Sequence, residues 1–243
     1  YVYLEFLILA CTIYILAPNT IRGCHNFMNN TEALASLCEA EKLLGNELEK
    51  AFLKTTIGFV YVRMNQLEEA QIQFETACKV IERLKIHESS YAMNDLAICY
   101  MLDGKYQKAK DILMKALLWN QTDYGKLAIY CHLLACTINL NRIDEAMDYY
   151  EYLDKYIMNY FSDDPIIKRK IYLNLAIANQ KMDRGILSHA FLEKAKDYVI
   201  NSSSEWRYYN LVGAQKNFRK PIPHSKYEKV LNFEPWFIVY AHD

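Results

Sequence analysis

Small and bulky apolar residues recur along this chain with the spacing of amphipathic helices, and short polar stretches separate them. The clearest recurrence relates residues 54–80 to residues 90–119. The shared positions are held by Ile57, Gly58, Tyr61, Leu67, Ala70, Phe74 and Ala77 in the first segment, and by Leu96, Ala97, Tyr100, Tyr106, Ala109, Leu113 and Ala116 in the second. Because both sets have the same internal spacing, each segment is predicted to form the same pair of helices.

Three more copies of the pattern flank these two. The two later copies carry Leu133, Leu134, Thr137, Ile143, Ala146, Tyr150 and Leu153, then Leu175, Ala176, Asn179, Gly185, Ser188, Leu192 and Ala195, and an earlier copy keeps Ala33, Leu37 and Ala40. The alanine-type position falls at residues 33, 70, 109, 146 and 188, so successive copies lie 37 to 42 residues apart. Leu134 stands where a small residue belongs, and we expect its helix pair to be splayed.

Two local features support this register. Helices approach closely only where small side chains meet, and we expect the facing pairs Gly58 with Ala70, Ala97 with Ala109, and Ala176 with Ser188. Between the two helices of each copy, one aligned place holds Asn65, Gly104, Asn141 or Asp183. All of these residue types tolerate the left-handed backbone conformation that ends a helix. Core spacing and turn chemistry therefore predict the same helix boundaries.

The pattern of a large and a small residue, an aromatic, then Ala, a bulky apolar residue and Ala resembles the tetratricopeptide repeat. The resemblance covers about residues 19–200 and implies an all-α, right-handed α-solenoid of antiparallel helix pairs with an irregular C-terminal tail. It divides the chain into a hydrophobic helix at 1–17, about five repeats over 18–201, and a capping helix with an irregular tail over 202–243. One repeat cannot bury its own apolar face, so the repeats must stack.

The apolar run at residues 1–16 has two interpretations. The chain begins without Met, which suggests a processed chain or a fragment. The run contains Glu5, ends before Pro18 and is shorter than the roughly 20 residues of a spanning helix. These features favour a buried helix from an upstream repeat over the remnant of a membrane anchor. A formal net charge of −1 provides no field that would attract nucleic acid or an anionic membrane.

No catalytic or metal-binding motif is recognisable in the sequence. The seven cysteines are odd in number and scattered, which favours reduced thiols in a cytoplasmic protein. His132 stands beside Cys131 and four residues before Cys136, but no third group orients the imidazole, so packing roles are favoured over a thiol–imidazole pair. We therefore expect neither an enzyme nor a bound cofactor or metal. The basic cluster Lys168–Lys170 is interpreted as a solvated face.

The resemblance implies where a partner would bind, because the first helix of each pair lines the concave face in this family. Carried over by position, the inward residues include Phe59, Arg63, Asn94, Ile98, Asn139, Asn174, Ile177 and Lys181. Only two of them are cationic, and those are three repeats apart, which argues against a clamp for an acidic peptide terminus. Asn side chains can pair with peptide groups as donor and acceptor together, so an apolar peptide is one hypothesis and ordinary surface amides are the other.

These features favour a protein- or peptide-binding module over an enzyme. Repeats of this length resemble the sensor or scaffold parts of larger bacterial regulatory proteins, either peptide-responsive regulators or signal-transduction and defence ATPases. The alternative is a membrane-anchored assembly factor with tetratricopeptide repeats. No direct binding of nucleic acid is expected, and the sequence leaves the oligomeric state open.

Overall fold

A computed structural model describes residues 30–85, 89–119, 122–159 and 165–196, together with Phe233. These ranges contain nine α-helices and no strand. The helices are α1 (Asn30–Leu43), α2 (Glu47–Arg63), α3 (Leu67–Leu84), α4 (Ser89–Leu102), α5 (Tyr106–Trp119), α6 (Asp123–Asn139), α7 (Ile143–Asn159), α8 (Pro165–Lys181) and α9 (Gly185–Lys196). The helix predicted at 1–17 lies outside the described residues, as does the tail predicted at 202–243 apart from Phe233.

The chain divides into two compact units. One contains helices α1 to α5, and the other contains α6 to α9 and Phe233. Each unit is built from consecutive helix pairs, which confirms the all-α repeat architecture predicted from the sequence. The predicted pairs are α2 with α3, α4 with α5, α6 with α7, and α8 with α9, while α1 is the second helix of the degenerate first copy.

The second helix of each pair buries the predicted row of side chains. In the first unit, Ala33, Leu37, Ala40, Ala70, Phe74, Ala77, Ala109, Leu113 and Ala116 are at most 1% exposed. In the second unit, Ala146, Leu153, Ser188, Leu192 and Ala195 are equally buried, and Tyr150 is nearly so. The i, i+4, i+7 spacing of these residues places them on one helix face, so the repeat alignment predicts the buried face correctly.

All four turns between paired helices have the same backbone geometry. Asn65, Gly104, Asn141 and Asp183 have φ between 56° and 75°, in the left-handed region. In the first turn, Asn65 N–H donates to Val62 O at 3.0 Å and Gln66 N–H donates to Tyr61 O at 2.9 Å, which is the Schellman arrangement. Gln66 O then accepts from Ala70 N–H. Gln66 therefore donates to the last turn of α2 and accepts from the first turn of α3.

The close contacts between paired helices agree with the predicted register. Ser188 Oγ donates to Ala176 O at 2.8 Å, so these residues face each other as predicted. At Gly58, an added β-carbon would lie 3.1 Å from ring carbons of Phe74, one turn after Ala70 on α3. The aromatic ring therefore fills the space beside Gly58, and the direct pairing of Gly58 with Ala70 stays a prediction.

Helices α6 and α7 contact each other less extensively than α8 and α9 do. Leu134, at the place where the other copies have Gly or Ala, is 1% exposed. Splaying of this pair by Leu134 stays a prediction.

Candidate partner-binding face

In the second unit, α6 and α8 are in contact with each other. Both are the first helices of their pairs, so the face predicted to bind a partner continues from one to the other. A shallow depression, partly open to solvent, is lined by Leu134, Ala135, Ile138, Asn174, Ile177, Ala178 and Lys181. It has room for about one water molecule, whereas sites for drug-sized ligands enclose roughly 300–1,000 Å³. The depression is therefore a feature of the surface and not a small-molecule pocket.

Four of the predicted residues come together at this depression. Asn174, Ile177 and Lys181 line it, and Asn139 adjoins it through Lys181, whose Nζ donates a hydrogen bond of 2.7 Å to Asn139 Oδ1. This bond joins the ends of α6 and α8. Desolvation lowers the pKa of the Lys181 ammonium group, because that group lies against the protein even though the side chain as a whole is exposed.

The two asparagines of this face are oriented by their own helices. Asn139 Nδ2 donates to Ala135 O at 2.7 Å, and Asn174 Nδ2 donates to Lys170 O at 3.0 Å. Each bond reaches back one helical turn, which fixes the amide plane against the helix backbone. The face is therefore lined by amide groups of set orientation among apolar side chains.

In the first unit, the predicted residues occupy different environments. Phe59 is half-buried and packs against the core cluster that includes Ile57 and Val60. Asn94 and Ile98 are fully buried, and Asn94 Nδ2 donates to Asp95 Oδ1 at 3.1 Å. These two side chains therefore line no open groove in this structure, and their assignment to partner binding stays a prediction. Arg63 is the last residue of α2, and its side chain lies outside the described part.

The sequence pattern also contains a row of buried polar residues that sequence reasoning missed. The row occupies the position two residues before the small or equivalent residue of each first helix, and consists of Thr56, Asp95, His132 and Asn174, all at most 7% exposed. Of these, only Asn174 is among the predicted site residues. The repeat alignment contains the signal, because this position is polar in all four first helices, and buried polar groups are retained where they have partners.

In α6, the residue at this position is His132, and it contacts Phe233, which is distant in the sequence. The ring of Phe233 approaches the His132 imidazole edge-on, with centroids 6.0 Å apart and an interplanar angle of 89°. Phe233 is 1% exposed and His132 is fully buried. His132 thus packs against an aromatic ring, and this partner could not be predicted from the sequence.

The buried thiols are not arranged for nucleophilic chemistry. Cys131 and Cys136 are fully buried, and burial raises the pKa of the Cys131 thiol well above its usual range. A nucleophilic cysteine requires the thiolate form, which burial disfavours. Cys38, Cys78, Cys99, Cys131 and Cys136 are not joined in disulfides. Within the described ranges, no group of His, Cys, Asp and Glu could hold a metal ion.

None of the described helices is long and apolar enough to cross a membrane. The predicted basic cluster, Lys168 to Lys170, lies in the first turns of α8, and its side chains are half-buried. The basic cluster is thus less solvated than expected from the sequence.

Paired helices, repeated turns and buried small residues define a helical-hairpin repeat protein. Residues 90–123, which run from the second residue of α4 to the first residue of α6, match the tetratricopeptide repeat family model, as the sequence pattern predicts. The other described helix pairs share the fold of this repeat. No curated protein sequence matches the chain.

Solved structures share this fold at low sequence identity. One is a Podosopora anserina protein described as a kinesin light chain with nearly identical TPR-like repeats, which is 15% identical, with a TM-score of 0.61, over 81% of this chain and 94% of its own. Another is BtubC (BKLC) from P. vanneervenii, which is 16% identical, with a TM-score of 0.57, over 91% of this chain and 95% of its own. At such identities, the similarity concerns the fold alone.

Proposed function

We propose that this protein binds a peptide or an extended segment of a protein on the face formed by α6 and α8. Tetratricopeptide repeats form protein-interaction scaffolds, so the superfamily supports the general role. The observation that supports this particular place is the depression between α6 and α8, which brings together Asn174, Ile177 and Lys181. These three residues lie on α8, and α6 supplies Leu134, Ala135 and Ile138 to the same lining.

The chemistry of the lining indicates the kind of partner. Ala135, Ile138 and Ile177 provide an apolar floor, and the amide of Asn174 stands beside it. An apolar side chain of the partner would lie against this floor, while its peptide groups would pair with asparagine amides. Lys181 is the one cation of the lining. Affinity should therefore depend only weakly on salt concentration.

Changing the surface of the depression tests this proposal. Ala135 lines it, and in Ala135→Leu the larger side chain would project where the partner is proposed to lie. Peptides selected by phage display against the wild-type chain serve as probes, with affinity measured by fluorescence anisotropy. We expect Ala135→Leu to weaken their binding at least tenfold, about 1.4 kcal/mol, with the helical signal in circular dichroism retained.

The matched control is Ala190→Leu, the same substitution at an exposed position of α9 outside the depression. It should leave peptide affinity unchanged. If the selected peptides bind Ala135→Leu as tightly as the wild type, the face between α6 and α8 is not the binding site.

For the larger context, we propose that the module is the sensor or scaffold part of a cytoplasmic regulatory or signalling protein of bacterial type, in which partner binding controls an effector domain. The apolar run at 1–16 favours one alternative, a membrane-anchored assembly factor. Fractionation of the full-length protein distinguishes them. Recovery in the soluble fraction supports the regulator, and recovery in the membrane fraction that resists high salt supports the anchored factor.

A further inference from the structure

The first unit contains a groove of about 220 Å³, open to solvent, among α3, α4 and α5. Much of its lining is apolar and comes from Cys78, Met93, Leu96 and Ile112. An apolar cavity of about 150 Å³ is enough to hold a benzene molecule. The groove therefore has room for an aromatic ring.

Charged and polar groups border this groove. Lys115 of α5 forms an ion pair with Glu82 of α3. The hydroxyl of Tyr100 on α4 donates a hydrogen bond of 2.5 Å to Glu75 Oε1 on α3. All four residues belong to the lining. An ammonium group and a carboxylate-bound phenol thus stand beside the apolar part of the groove.

Aromatic rings occupy the equivalent positions of the next repeat. Met93, Ile112 and Lys115 correspond by repeat position to Tyr130 of α6 and to Tyr149 and Tyr152 of α7. The ring centroid of Tyr130 lies 4.1 Å from that of Tyr152 and 5.9 Å from that of Tyr149. The chain itself therefore provides rings at these positions in the pair of α6 and α7.

The last repeat combines two rings with a cation at the same three positions, which hold Tyr172 of α8 and Phe191 and Lys194 of α9. The two ring centroids are 6.1 Å apart. Lys194 Nζ lies 5.7 Å from the centroid of Tyr172 and 5.4 Å from that of Phe191. Both distances are within the range of cation–π attraction.

The first pair, α2 with α3, has polar side chains at these positions instead. Lys54 Nζ and Gln73 Oε1 are 3.4 Å apart, and Lys54 also forms an ion pair of 2.7 Å with Glu41. Of the four described helix pairs, α4 with α5 therefore combines an apolar lining at these positions with no ring to fill it.

We infer that the groove among α3, α4 and α5 binds an aromatic side chain of a different protein, which supplies the ring that the two following repeats provide themselves. Lys115 occupies the repeat position of Lys194, so its ammonium group would lie over the incoming ring. Charge complementarity favours an aromatic over an aliphatic side chain, because the negative face of a ring attracts a cation. The groove shares no residue with the face of α6 and α8, and the inference does not rest on the proposed function.

Methyl NMR of the full chain tests this inference, with N-acetyltyrosine amide and N-acetylleucine amide as probes. We expect the tyrosine probe to shift the methyl signals of Met93 and Leu96 upfield through its ring current. The methyl signals of Ile177, which lines the depression of α8, should stay in place. The leucine probe should bind about two- to fivefold more weakly, because it lacks the attraction to the cation.

Filling the groove from within should block the probe. Met93→Tyr combined with Ile112→Phe copies Tyr172 and Phe191 into the groove. The tyrosine probe should no longer shift the Leu96 signals, and the thermal midpoint should rise by roughly 2–6 °C. Met114→Phe, at a half-exposed position of α5 outside the lining, is the matched control and should bind the probe as the wild type does. Ile112→Phe alone serves if the double variant loses its helical signal, and it should weaken probe binding.

The role of the cation is tested separately. Lys115→Met should weaken binding of the tyrosine probe about two- to fivefold and leave the leucine probe unaffected. Lys115→Arg keeps the charge and should restore the affinity. Lys42→Met changes an exposed lysine of α1 that is paired with Glu39, and it should have no effect.

Three results would overturn the inference, whatever is found for the face of α6 and α8. If the tyrosine probe leaves the Met93 and Leu96 signals in place, the groove does not bind a ring. Equal affinity for both probes would show a groove for any apolar side chain. Self-association of the wild type in sedimentation, lost when Met93→Tyr and Ile112→Phe are combined, would identify a second copy of the chain as the occupant instead of a different protein.

Discussion

The backbone of Gly58 lies so close to the ring of Phe74 that a methyl group added at Gly58 would be 3.1 Å from three ring carbons. The ring is fully buried, so its surroundings restrict any movement that would make room. In the next repeat, the aligned residues are Ala97 and Leu113, a larger first residue with a smaller second one. The two repeats thus fill the same space with different combinations of side chains.

This relationship predicts non-additive effects. Gly58→Ala gains up to about 1 kcal/mol of helix propensity but overpacks the core at a cost of about 1–3 kcal/mol, so we expect net destabilisation of about 1 kcal/mol. Combining it with Phe74→Leu recreates the pairing of Ala97 with Leu113. The double variant should be about 1 kcal/mol more stable than the sum of the single changes predicts, measured by urea unfolding. Strict additivity would show that the two sites do not share this space.

The left-handed turn at Gly104 gives a prediction with a matched control. A β-carbon at Gly104 would meet no neighbour, but φ is +75°, so Gly104→Ala should cost about 1 kcal/mol through backbone strain alone. Gly45→Ala also adds a methyl group in open space, and there φ is not positive. The control should be neutral or slightly stabilising, because alanine restricts the unfolded chain. Equal thermal midpoints for the two variants would contradict the turn geometry.

Ala70 and Ala109 occupy equivalent buried positions in the second helices of two repeats. Replacing either with Leu should destabilise the protein by about 1–3 kcal/mol, because the added side chain overpacks a closely packed core. Thermal unfolding followed by circular dichroism measures the loss. Ala190→Leu, at an exposed site of α9, is the matched control and should change the midpoint little. Wild-type melting of both core variants would mean that the repeat register is wrong.

Buried thiols should make stability fall in alkaline solution. Burial raises the pKa of the Cys99 thiol from 9.0 to about 12, and it also raises the pKa values of Cys78 and Cys131. Below pH 9 these thiols are protonated in both folded and unfolded chains. Between pH 9 and 12 the unfolded chain loses these protons while the folded chain keeps them, so the free energy of unfolding decreases as pH rises.

Each such thiol contributes a slope of up to about 1.4 kcal/mol per pH unit. Cys99→Ala should reduce the slope above pH 9 by that amount and leave the dependence between pH 6 and 8 as in the wild type. Urea unfolding with reducing agent present, repeated across this range, measures both. An unchanged slope in Cys99→Ala would mean that this thiol ionises as readily in the folded protein as in the unfolded one.

The sequence by itself determined the elements and their register. The buried faces of the second helices and the left-handed residues at Asn65, Gly104, Asn141 and Asp183 follow from local rules, namely helical periodicity and backbone sterics, which act over a few residues. The residues that follow these rules are present in each copy of the repeat, and their recurrence at the same spacing strengthens the prediction. For the same reason, the fold class follows from the residue pattern alone.

Only the tertiary structure decided which predicted face residues meet. It joins Lys181 to Asn139, sets Asn174 and Ile177 of α8 beside Ala135 of α6 at one depression, and buries Asn94 and Ile98. It also brings Phe233 to His132, a contact between segments with no common pattern. Helical periodicity predicts which side of a helix turns inward, but it does not specify what covers that side. The groups that cover this side of a helix come from segments distant in sequence. Contacts between such segments leave no periodic signal in a single chain.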